Sequence, residues 1–105
     1  MSIPPRGNNK LLECVLLARQ VQDGSVAWHS GCAEIARRVI AGQVSANDAC
    51  SLLAEVSESL RSPKELADFE HLAHLQHGHE SLGYTAASCA AEILQECRRL
   101  VESTA

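Results

Sequence analysis

A chain of 105 residues, 46% hydrophobic and 21% charged, is long enough for one domain around one core and too apolar for intrinsic disorder. With one Phe, one Trp and one Tyr its core has to be aliphatic, and no apolar run approaches the roughly 18 residues that a membrane span needs. The net charge of −4 divides as +1 over residues 1–53 and −5 over residues 54–105, and the only dense basic pairs are Arg37–Arg38 and Arg98–Arg99, which argues against generic nucleic-acid binding and for a basic protein partner.

In chain order, the Pro-, Gly- and Asn-rich stretch over residues 1–9 reads as a loose arm ahead of a single helical domain over 10–105. From Lys10, Leu11, Cys14, Val15, Ala18 and Val21 recur at helical spacing, and Gly24 stops that helix. A second stripe of Trp28, Cys32, Ile35, Ala36, Val39 and Ile40 ends at Gly42. Ser45 is the expected N-cap of a third helix, with Asp48 three residues on, and that helix carries Ala49, Leu52, Leu53, Val56 and Leu60 on one face. Ser62-Pro63-Lys64-Glu65 reads as a fourth start, with Ser62 capping, Pro63 at the first helical position and Glu65 closing the box. The fourth helix is expected to run to Gln76 or His77 before Gly78. A fifth, starting between Ser81 and Thr85, presents Ala86, Ala90, Ile93, Leu94, Cys97, Leu100 and Val101, and Ala86, Ala87, Ala90 and Ala91 would let it approach a neighbour closely. No stretch alternates as a strand does. The fold predicted is all-α, a single-domain antiparallel bundle of about five short helices.

Five cysteines, odd in number and never spaced C-x-x-C, together with no apolar leader after Met1, read as free buried thiols in a reducing cytoplasm. Cys14, Cys32 and Cys50 are spaced 18 residues apart twice over, opening the hexamers CVLLAR, CAEIAR and CSLLAE, and Gly24-Ser25-Val26 matches Gly42-Gln43-Val44 at the same spacing. Each unit is one short helix and one turn, so each of these cysteines is expected inside at an equivalent depth.

The segment from Asp68 to Glu80 holds four of the five histidines. On a helical wheel Leu66, Phe69, Leu72 and Ala73 form the buried stripe, and Glu70, His71, His74 and His77 are read on the opposite side. Side chains three and four apart can converge on one ion, so Glu70, His71, His74 and His77 are candidate ligands for Zn²⁺, although no recognised zinc motif such as H-E-x-x-H accompanies them. The plainer expectation is a solvated acidic face without cofactor, in which Glu65, Asp68, Glu70, His71, His74, His77, His79 and Glu80 contact a basic partner and Tyr84 anchors it. As pH falls through about 6–7 histidines there gain charge, which weakens such binding. His29 and Cys32 lie three apart on one helix, yet Cys32 sits on the apolar stripe and reads as structural. Trp28 reads as a core anchor.

The pattern Ala41-Gly42-Gln43-Val44-Ser45 with its following helix, then Phe69 and a His/Glu-containing turn ending in Gly83, resembles small acidic all-α bacterial immunity-type proteins. That resemblance covers about residues 35–83 and implies a non-enzymatic protein that neutralises a toxin by binding it. Two alternatives stand beside it. One is a divalent-metal protein or small hydrolase built on the Glu70/His71/His74/His77 cluster. The other is a helical homo-oligomer, a homodimer being the simplest, since Leu11, Leu12, Leu16 and Leu17 spread over most of the first helix.

Overall fold

Five helices follow one another in the computed structural model, which describes residues 6–78 and 86–104, and the side chains of 10–75 and 89–103. They are α1 (Arg6–Gln22), α2 (Trp28–Ile40), α3 (Ala46–Ser59), α4 (Ala67–Gly78) and α5 (Ala86–Thr104). The all-α bundle is thus as expected, and among the described residues no strand occurs and no helix is long and apolar enough to cross a membrane. Helix α1 starts at Arg6, so residues 6–9, read as part of the arm, are helical. The expected start of α5 at 81–85 lies outside the described residues.

The helix ends explain the corners. Gly24 and Gly42 take positive φ (86° and 77°), the left-handed conformation that lets a chain leave a helix while its last carbonyls stay bonded. Gly42 N–H donates to Val39 O at 3.0 Å, and Gln43 N–H donates to Arg38 O at 2.9 Å. Helix α3 ends the same way without a glycine. Arg61 (φ 63°) donates to Glu58 O at 3.2 Å, and Ser62 (φ 55°) donates to Ser57 O at 2.8 Å.

Ser62 therefore closes α3 and is not the cap of α4, because a residue in the left-handed region cannot also take the extended conformation of an N-cap. Pro63 instead opens a single turn. Its carbonyl accepts from Leu66 and Ala67 at 2.9 and 3.0 Å, and α4 begins four residues later than its sequence signal. Ser45 does cap α3, its hydroxyl accepting the Asp48 N–H at 3.5 Å.

Helix α2 packs mainly on α5, and α3 mainly on α4. Helix α1 lies against α2 and α3, and α5 also touches α3 and α4. Cys14, Cys32 and Cys50 are all fully buried, the equal depth that their 18-residue spacing predicts, and Cys89 and Cys97 are buried free thiols as well. The Cys50 thiol donates to Phe69 O at 3.3 Å, which joins α3 to α4. Phe69, Ile35, Leu53, Leu66 and Ile93 are the largest buried side chains, each contributing about 1.5–3 kcal/mol by leaving water. Ala91 is exposed, so the small-residue contact expected of all four alanines does not include it. Trp28 is half-buried and packs on the core.

Candidate partner-binding face

Helix α4 turns Leu66, Phe69 and Leu72 inward, as its periodicity requires. Glu70 departs from the expected outer face. It stands four residues after Leu66, which puts it on the flank of the buried stripe rather than opposite to it, and it is half-buried. There its carboxylate accepts a short hydrogen bond from the hydroxyl of Ser57, the buried polar residue of α3. Glu70 therefore joins two helices instead of lying open to a partner. Ser57→Ala leaves this carboxylate without its donor and is expected to cost about 1.5–3 kcal/mol, the range for hydrogen bonds to charged groups. Urea unfolding checks it: the midpoint falls with an unchanged slope.

His71 and His74 are exposed, while Glu65 and Asp68 are exposed in and just after the turn that leads into α4. The side chain of His77, and His79, Glu80 and Tyr84 entirely, lie outside the described residues. Among the described residues no three His, Cys, Asp or Glu side chains come together as a metal would need.

Helix α5 brings a residue that the sequence reading passed over. Glu96, with a side chain only 15% exposed, faces Asp68 across the α4–α5 seam. Burial raises the Glu96 carboxyl above the usual range, and the hydrogen bond and like charge of Asp68 raise it further, while Arg99, its Nη1 3.0 Å from Glu96 Oε2, works against both. Grooves open on either side of this pair. The larger, about 480 Å³, is lined by Lys64, Glu65, Asp68, Glu96, Arg99, Leu100 and Ser103. The smaller, about 240 Å³, is lined by Asp68, His71, Leu72, Glu92, Gln95 and Glu96. In the sequence Glu96 is one polar position beside Cys97 on a long amphipathic helix, and nothing local says that this edge of α5 meets α4.

His29 enters the same neighbourhood from α2. Its ring stacks on Trp28 with centroids 3.9 Å apart, and its Nε2 lies 3.2 Å from Glu65 Oε2. The contact is at ion-pair distance but off the hydrogen-bond direction, and Nε2 is shielded from solvent. His29 does not activate Cys32, whose thiol burial pushes up to about 12, far from a nucleophilic thiolate.

Three of the four arginines in the basic pairs meet carboxylates. Arg38 pairs with Glu13 of α1 and with Glu34 at 3.3 Å, Arg37 pairs with Glu34 at 3.4 Å, and Arg99 pairs with Glu96. On α1, Leu11 and Leu17 pack on the core, whereas Leu12 and Leu16, one turn apart, are 57% and 50% exposed. Comparison with protein-family models, with curated proteins and with solved structures returns no match for this chain.

Proposed function

We propose that this chain is a small non-enzymatic binding protein that holds a basic segment of a protein partner against the seam of α4 and α5. The observation that carries the reading is the Asp68–Glu96 carboxyl pair standing between two grooves. Two carboxyls at hydrogen-bond distance repel when both are ionised, and a guanidinium or ammonium group placed between them relieves that repulsion. Glu65 and Glu92 extend the negative potential along both grooves, and Leu72 and Leu100 supply apolar floor for the stem of an Arg or Lys. Lys64 and Arg99 at the larger groove favour a partner segment that carries an acidic residue beside its basic ones. The resemblance to immunity-type proteins accords with this reading, as does a cytoplasmic setting for five reduced thiols.

A fluorescent Lys/Arg-rich peptide followed by anisotropy tests the proposal. The wild-type chain is expected to bind it with a strong salt dependence, and Asp68→Asn combined with Glu92→Gln to weaken it about tenfold, as for loss of charge pairs at a partly desolvated contact. Equal affinity in the two proteins ends the proposal.

A further inference from the structure

Glu65 belongs to two neighbourhoods at once. Its side chain lines the larger α4–α5 groove beside Lys64, Asp68, Glu96 and Arg99, and its Oε2 lies 3.2 Å from His29 Nε2 on α2. Among the described residues this nitrogen is the buried side-chain polar atom that makes no hydrogen bond. With a neutral ring the contact is poor in either tautomer. A bare Nε2 sets its lone pair against the carboxylate, and an Nε2–H points off the hydrogen-bond line. A proton on the ring turns the contact into an attractive ion pair, and the Trp28 ring stacked on His29 holds the imidazole in place for it.

We infer that His29 is the proton sensor of the binding face: once protonated it engages the Glu65 carboxylate, removes that charge from the groove, and weakens the hold on a basic partner. The inference rests on the reading of the α4–α5 seam as the seat of a basic segment. His71 also borders the seam, and His74 lies on the same helix, but both side chains are exposed, so solvent and salt screen their added charge. The His29 and Glu65 side chains are themselves 43% and 38% exposed, but Nε2, the atom that faces the carboxylate, is withdrawn from solvent and lies at contact distance from it.

Two measurements test this, and they fail separately. In the first, affinity for the Lys/Arg-rich peptide is compared at about pH 8 and about pH 5.5, the range over which histidine gains its proton. Wild type is expected to lose about three- to fivefold on acidification, the size of one partly exposed ion pair. His29→Gln is expected to lose clearly less than wild type, what loss remains belonging to the raised Glu96 carboxyl in the same groove, while His71→Gln with His74→Gln loses affinity as wild type does. The same loss in His29→Gln overturns the inference.

In the second measurement, thermal melting of wild type, His29→Gln, Glu65→Gln and the double variant is followed over the same range without peptide. A coupling between positions 29 and 65 that grows as pH falls is expected, and a coupling independent of pH overturns the inference. Should the peptide bind at neither pH, the proposed function fails by itself, and the melting cycle still decides the His29–Glu65 contact.

Discussion

Replacing Gly31 with alanine is expected to destabilise the protein by about 1–3 kcal/mol, the usual cost of overpacking, even though alanine favours a helix by about 1 kcal/mol over glycine. Gly31 is buried on α2 where α1 and the following turn cross it. A methyl group there falls well inside contact with Val21 Cγ2, and meets Val26 Cγ1 at 3.3 Å and Leu17 Cδ1 at 3.8 Å. Val21 is buried and β-branched, so its methyl cannot swing aside into another staggered position as a long side chain does. The helices have to part instead, which loosens contacts along α1 and α2. Urea unfolding measures the loss, and Val21→Ala in the Gly31→Ala background is expected to recover part of it because the clashing methyl is gone. A Gly31→Ala protein as stable as wild type would show that this crossing is loosely packed.

Alkaline unfolding is the second large effect. Burial pushes the thiols of Cys32, Cys50 and Cys97 up to about 12, from an ordinary value of 9.0. Below pH 9 these thiols are protonated in both the folded and the unfolded chain, so their full contribution to stability is present. Above pH 9 the unfolded chain releases the protons and the folded chain keeps them, so stability falls continuously as pH rises toward 12. Each thiol removes about 1.4 kcal/mol per pH unit, so three remove about 8 kcal/mol over two units, within the total stability of a typical domain. Loss of helical circular dichroism is expected between pH 9 and 12, accompanied by alkylation of the cysteines, which stay unreactive at neutral pH. Cys32→Ala is expected to lower stability at pH 7 yet flatten the alkaline decline. An alkaline decline of unchanged steepness in that variant would refute the role of the thiol.

Much of this fold is legible one residue type at a time. The apolar spacing around Cys14, Ile35, Leu53, Phe69 and Ile93 marks five helices, and the 18-residue interval of Cys14, Cys32 and Cys50 foretells their common depth. Gly24 and Gly42 mark their turns because only a residue without Cβ takes positive φ at little cost. Ser62 misleads because its serine-proline signal is local, whereas the end of α3 sets its backbone in the left-handed conformation that an N-cap cannot take. Glu70 misleads because a flank position looks solvated until Ser57 of another helix is seen beside it.

Sequence alone therefore determined the helices, their inward faces, the aliphatic core and the acidic balance, since each of these depends on spacing and composition along one segment. Which edges meet was decided only by the tertiary structure. Asp68 opposite Glu96, and His29 against Glu65, join residues from separate helices and turns, and such pairing follows from how helices cross, a property that no single segment carries.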